Sequence, residues 1–168
     1  PDTITMFHVL EHLPRPVNVL KKLHSIANNS TKLIVEVPVI ENGRTNDING
    51  FFSIQHTTHF SKKSLNNCLA VSGWKVDEVH MTDDYNGYRI LASKDIQKKN
   101  NHKIYDKNDW IELNKTLISW YNAINNVEKI IQQKIQSKKI VIWGGGAHCE
   151  FLYQVTSLFH ANQSTKFI

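Results

Sequence analysis

Three clusters of residues in this chain have types and spacings suited to chemistry. The first is His8-Val-Leu-Glu11-His12. As a pattern it matches the His-x-x-Glu-His signature of one class of zinc peptidases, in which both histidines share a helix face and bind one Zn²⁺. The second is Gln55-His56-Thr-Thr-His59. Imidazole titrates near neutral pH, so His56 can take a proton from a carbon or a hydroxyl. Two histidines at this spacing can also share a metal on a helix, but no third ligand has convincing spacing, so no metal is expected. The third cluster is Gly144-Gly-Gly146, which follows the apolar run Ile140-Val-Ile-Trp143. A strand that runs into glycines and then a helix lets backbone N–H groups approach a phosphate. Cys149 stands where the full dinucleotide fingerprint has its third glycine, and a structural tight turn explains the run equally well.

The elements that must position these clusters are legible in sequence. Thr3 to Phe7 is short, β-branched and apolar, and reads as a buried strand. The first cluster therefore lies at the carboxyl end of a strand, where α/β sheets bind ligands. Pro14 and Pro16 prevent a long helix around it, which disfavours the zinc-peptidase reading. Pro16 opens a helix in which Val17, Leu20, Leu23 and Ile26 recur at helical spacing, and Asn28-Asn29-Ser30 ends it. Lys32 to Pro38 is a second strand, and the two strands with their helix form a βαβ unit with parallel pairing. Glu41 to Phe51 is a long polar loop. Ser61 caps a helix from Lys62 to Val71, and Gly73 stops it. Trp74 to His80 and Tyr88 to Ser93, joined through Asp83 to Gly87, form an antiparallel hairpin that extends the sheet. The polar stretch from Asp95 to Asp109 is a candidate boundary. Trp110 to Gln136 reads as one long helix, Lys139 to Trp143 as a strand, and Phe151 to Phe159 as a helix. A next strand begins at Phe167.

Composition excludes several classes. The chain has 168 residues, 40% of them hydrophobic and 21% charged, as in soluble globular domains. No apolar run approaches the ~20 residues of a membrane span, and the first residues carry no signal-peptide pattern, so no membrane partner is expected. The net charge of +5 comes mostly from single or paired lysines, without an Arg-rich stripe between aromatics, so nucleic acid is not expected either. Cys68 and Cys149 lie far apart, fit no Cys-x-x-Cys pattern, and suit a reducing cytoplasm as free thiols. Composition leaves the oligomeric state open.

Taken together, Asp2-Thr-Ile-Thr-Met-Phe-His-Val-Leu-Glu-His-Leu-Pro-Arg-Pro16, Leu20-Lys-Lys-Leu23 and Leu33-Ile-Val-Glu-Val-Pro38 resemble class I S-adenosylmethionine-dependent methyltransferases. Gln55-His-Thr-Thr-His-Phe-Ser61 and Ser72-Gly73-Trp74 continue the match, which covers about residues 1–93. The resemblance implies that Phe7, His8 and Val9 lie beside the methionine part of S-adenosylmethionine. It implies that Glu11 and His12 orient that turn or face the substrate. The pattern is nearest to sugar C-methyltransferases, in which a Glu-His pair supplies a general base. Gln55-His56 falls at that place, with Gln55 replacing the glutamate and His59 replacing an aromatic residue. A glutamine cannot raise the imidazole pKa as a carboxylate would. Residues 139–168 are similar to the second, Rossmann-like domain of those enzymes, which implies a role for Gly144 and Gly146 in holding a nucleotide-sugar acceptor, while the resemblance around Gln55-His56 makes His59 a further substrate-binding residue.

The expected architecture is α/β. Residues 1–95 form the later strands of a partial Rossmann-like methyltransferase sheet ending in an antiparallel hairpin. Residues 96–138 are a linker and long helix, and residues 139–168 start a second Rossmann-like unit. The resemblance also implies a missing opening strand and glycine-rich loop, so a chain truncated at both ends and inactive by itself is expected. The expected function of the full-length protein is methyl transfer to a small molecule. A non-catalytic, degenerate methyltransferase fold used for binding is the alternative.

Overall fold

Strand β1 (Thr3–Phe7) pairs in parallel with β2 (Lys32–Pro38), Thr3 opposite Lys32 and Phe7 opposite Glu36. Helix α1 (Pro16–Ile26) is the crossover between them, with Pro16 in its first turn, where a missing N–H costs nothing. Strand β4 (Gly87–Lys94) lies antiparallel between β2 and β3 (Trp74–His80), so the sheet order is β1-β2-β4-β3. This is the expected βαβ unit with an added hairpin, a partial Rossmann-like sheet. In this computed structural model the described residues are 1–42, 51–82, 87–95, 107–135, 140–159 and 166–167. Most of the predicted polar loop, the Asp83 to Asn86 turn, the stretch 96–106 and Lys139 lie outside them.

The described residues fall into two units, one of Pro1–Arg44 with Phe51–Thr116, the other chiefly from Leu117 on. In the first unit, Leu33, Val35 and Val37 of β2 are fully buried, as is Ile90 of β4. A strand covered on both faces needs such a near-continuous apolar run. Leu20 of α1, and Leu65 and Leu69 of helix α2 (Lys62–Val71), join the same core. The edge strand β3 is mostly exposed and polar and carries a bulge between Val76 and Glu78, features that discourage edge-to-edge pairing. Among the described residues, β1 has one strand neighbour and forms the other edge.

The turn from α2 into β3 follows from three consecutive residues. Ser72 Oγ donates to the Cys68 carbonyl at 2.7 Å. Gly73 adopts φ +87, and a Cβ there would lie 2.8 Å from the His24 ring. Trp74 is buried and its indole N–H donates to the Leu20 carbonyl at 3.0 Å, which ties the strand to α1. Helix α2 begins with a reciprocal cap: Ser64 N donates to Ser61 Oγ at 2.9 Å and Ser61 N to Ser64 Oγ at 2.8 Å. The Glu41 carboxylate accepts from Lys62 N at 2.9 Å, which satisfies another free helix-end donor.

Helix α3 (Lys107–Ile135) begins three residues before the predicted Trp110 and follows the predicted long helix to Ile135, with Gln136 outside the described residues. Within it Trp120 and Ile135 are buried, whereas Tyr121 is 66% exposed. In the second unit, β5 (Val141–Ile142) pairs in parallel with β6 (Lys166–Phe167), and helix α4 (Ala147–Val155) lies between them in sequence. Strand β5 is shorter than the predicted Lys139 to Trp143, and Trp143 is 85% exposed. Helix α4 starts and ends earlier than predicted. Gly146 is its N-cap, and Thr156 leaves the helix in an extended conformation. The next turn, Ser157–Phe159, is held by Glu128 of α3, whose carboxylate accepts from both the backbone N–H and the hydroxyl of Ser157. Those bonds draw the Glu128 carboxyl below its ordinary range.

Candidate functional site

The carboxyl ends of β1 and β2 lie side by side, and the first two sequence clusters meet there. His8 leaves β1 at φ 51, a left-handed conformation uncommon for a residue with a Cβ. Its backbone N–H donates to the Glu36 carbonyl at 2.9 Å, so the parallel ladder itself holds the bend. The His8 ring then bridges two buried carboxylates, with Nδ1 3.2 Å from Glu11 Oε1 and Nε2 3.4 Å from Glu36 Oε1. Glu36 is also paired across the sheet with Arg89, whose Nη2 lies 2.6 Å from Oε2. The Arg89 guanidinium stands over the Phe7 ring at 5.5 Å. Phe7 and Val9 are 46% and 41% exposed, an apolar surface at a strand end that a ligand would cover.

Leu10–His12 forms a single 3-10 turn, so His8 and His12 do not share one face of a helix. Glu11 is 1% exposed, and its Oε2 has no hydrogen-bond partner among the described residues. The segment before α2 packs onto this turn through its backbone. Thr58 N donates to the Glu11 carbonyl at 3.0 Å, and Thr58 Oγ1 donates to the Leu13 carbonyl at 3.2 Å. A parallel bridge between Val39 and Phe60, with Ile40 N donating to the Phe60 carbonyl, fixes the far end of the segment to the end of β2.

Three imidazoles are oriented by carbonyl oxygens. His12 Nδ1 donates to the Gln55 carbonyl at 3.0 Å, and His56 Nδ1 donates to the Phe51 carbonyl at 2.8 Å. His59 Nε2 donates to the same Phe51 carbonyl at 3.1 Å. A carbonyl only accepts, so each of these nitrogens carries the proton, and the neutral ring keeps its lone pair on the other nitrogen. The free nitrogen is thus Nε2 in His12 and His56, and Nδ1 in His59. The His12 and His56 rings meet edge to face with centroids 4.8 Å apart. Partial desolvation against Phe51 and Phe52 pushes the His59 imidazole below its ordinary value, the Phe51 carbonyl opposes this, and neighbouring His56 lowers it further. A mostly apolar cavity of about 380 Å³ opens beside His59, lined by Phe60, Ser64, Cys68, Trp110 and Leu113. Burial pushes the Cys68 thiol up to about 11, so it stays protonated there, and both cysteines are free.

The fold brings Phe7, His8, Val9, Glu11, His12, His56 and His59 into the first unit. Gly144 and Gly146 lie in the second, Gly144 at φ +100 and Gly146 at the start of α4. Sequence reasoning missed Glu36 and Arg89. A lone acidic residue inside the apolar run Leu33-Ile-Val-Glu-Val was the available signal, since a buried carboxylate needs a partner. That partner is the residue directly opposite in the β2–β4 register.

Among the described residues no helix is long and apolar enough to cross a membrane. Comparison with known proteins matches residues 1–79 to a family described as "Methyltransferase domain". No curated protein matches the chain.

Proposed function

From the premise of a methyltransferase domain over residues 1–79, we propose that the protein transfers a methyl group from S-adenosylmethionine to a small-molecule acceptor. The observation that carries this reading is the cluster of His8, Glu11, His12 and His56 at the carboxyl ends of two parallel strands. S-adenosylmethionine supplies an electrophilic methyl group on a sulfonium. Phe7, His8 and Val9 would hold its methionine part, and the exposed apolar side chains of Phe7 and Val9 fit that task. Bringing the two reactants together accounts for most of the rate gain in such a transfer. His56 accepts the proton that the acceptor loses, through its Nε2 lone pair, while the Phe51 carbonyl fixes the ring. Glu11 and His12 hold the turn that faces the acceptor. The cavity beside His59 suits a small organic acceptor in size. A sugar or nucleotide sugar is the favoured acceptor, and in the second unit the glycine run with Gly144 and Gly146 is suited by itself to a phosphate. The two free thiols suit a cytoplasmic location.

Methyl transfer from isotopically labelled S-adenosylmethionine by the full-length protein tests this reading. Turnover on a sugar or nucleotide-sugar panel, reduced at least about a hundredfold by His56→Asn with the cofactor still bound, is the expected result. Gln55, in place of the glutamate of the sugar C-methyltransferase pattern, favours a second reading, a non-catalytic binding fold. Cofactor or acceptor binding without any labelled product would establish that reading instead.

A further inference from the structure

We propose that Glu11, His12 and His56 form a binding site for one divalent transition-metal ion of the Zn²⁺ class. One carboxylate oxygen of Glu11 and one ring nitrogen each of His12 and His56 lie within 4.8 Å of one another. Neighbouring positions in the sequence offer His56 no such set. It exists because Thr58 N bonds the Glu11 carbonyl and His12 Nδ1 bonds the Gln55 carbonyl, which together lay the His56 segment on the Glu11 turn.

Three features distinguish this cluster from a chance meeting of polar side chains. Both histidines donate Nδ1–H to a backbone carbonyl, which leaves both Nε2 lone pairs free. Metal-bound histidines almost always have such a carbonyl or carboxylate behind them, because it fixes the tautomer and aims the ring. The Glu11 carboxylate has the same support, with His8 Nδ1 on Oε1 at 3.2 Å. Glu11 is 1% exposed, yet its Oε2 has no hydrogen-bond partner among the described residues. The other oxygen, Oε1, is the one that faces His12 Nε2, at 4.0 Å, and a cation held there offsets the cost of burying a carboxylate with one oxygen unpartnered.

The chemistry of the donors narrows the ion. Two imidazoles and one carboxylate suit Zn²⁺, Fe²⁺ or Co²⁺, whereas Mg²⁺ and Ca²⁺ prefer oxygen ligands throughout. Bonds of about 2.0–2.1 Å place tetrahedral ligand atoms about 3.3 Å apart, so a bound ion draws the three groups closer, His12 Nε2 and Glu11 Oε1 from their present 4.0 Å. Three protein ligands leave a coordination position open, as in catalytic zinc sites. Where the methyl-transfer reading holds, a hydroxyl oxygen of the acceptor can take that position and lose its proton to solvent. His56 then serves as a ligand in the metal-loaded form and as the base only without the ion. Metal binding itself does not rest on that reading.

The test is a metal count on the full-length protein. The protein is stripped with a chelator, loaded with Zn²⁺, desalted and analysed by elemental mass spectrometry. A parallel sample is loaded with Co²⁺ for visible absorption. The expected result is one Zn²⁺ per chain and an intense Co²⁺ band of a four- or five-coordinate site. His56→Ala and Glu11→Gln should each weaken Zn²⁺ binding more than about tenfold, with the circular dichroism spectrum unchanged. Glu11→Gln keeps the shape of the side chain, so it remains informative should His56→Ala fail to fold. His80→Ala, an exposed histidine beside Glu78, should leave the count unchanged. Failure to retain Zn²⁺, or retention that Glu11→Gln does not weaken, overturns the proposal. Methyl transfer is scored separately. A protein that binds one Zn²⁺ and transfers no methyl group either with the ion or after it is stripped refutes the proposed function and leaves the metal site standing.

Discussion

The turn after β1 and the turn after β5 hold the same place in their units, each at the carboxyl end of a strand that pairs in parallel. They are built in opposite ways. The first is made of side chains, with His8 bridging Glu11 and Glu36 while Glu36 meets Arg89 across the sheet. The second is made of backbone, and Cβ atoms added at Gly144, Gly145 or Gly146 would meet nothing within 4 Å among the described residues. The first turn presents imidazole and carboxylate groups to whatever lies beside it. The second offers N–H groups at the start of α4, suited to an anion. A bend away from regular backbone is tolerated in the first because neighbours over-determine it, and in the second because glycine makes it cheap.

The largest expected break in that contrast is at Arg89. Arg89→Ala takes the guanidinium away from the buried Glu36 carboxylate, and should lower stability by about 3 kcal/mol in urea unfolding. A smaller loss, of about 2 kcal/mol, is expected for Gly73→Ala. There the left-handed φ and the His24 ring both oppose a methyl group, and a melt no lower than wild type would show that the ring yields freely. Gly144→Ala sharpens the contrast. It shares the left-handed φ but has open space, so about 1 kcal/mol is expected, confined to the second unit. Gly145→Ala should stay within about 0.5 kcal/mol by the same melt.

The amino end of the first sheet supplies another small effect. Asp77, at the β3 bulge, accepts from Lys32 Nζ at 2.9 Å and from Ser93 Oγ at 2.9 Å. Partial desolvation alone would raise its carboxyl, but Lys32, Ser93 and Lys75 outweigh it and hold the group below the ordinary range. A depressed folded pKa stabilises above the unfolded value of about 3.9 and loses that contribution as pH falls through it. Asp77→Asn should therefore cost under about 1 kcal/mol at pH 7, and the gap to wild type should close below about pH 4. A gap that does not narrow as pH falls below about 4 would refute the assignment.

Elements whose determinants are close in sequence were legible before the structure. Lys32–Pro38 is bounded by its own apolar run and its proline. Ser61 and Gly73 bracket α2 because a helix end needs a side-chain acceptor and then a residue free to adopt positive φ. In the second unit the same reasoning drifted. The apolar run 139–143 overstated β5 because paired backbone, rather than apolar type, decides where a strand ends. The end of α4 was overrun because Glu128, on a distant helix, claims Ser157.

The sequence by itself determined the α/β order, the strand-end position of His8 to His12, and the resemblance to methyltransferases. These depend on periodicity, prolines and caps, which act within a few residues. Tertiary structure alone decided that His12 meets His56, that Glu36 meets Arg89, and that Glu11 keeps one buried carboxylate oxygen without a donor among the described residues. The reason is physical. Strand register and loop docking set which side chains share a volume, and both are fixed by backbone hydrogen bonds between segments far apart in the chain. Those bonds involve peptide groups that every residue carries, so they leave no mark in the order of side chains.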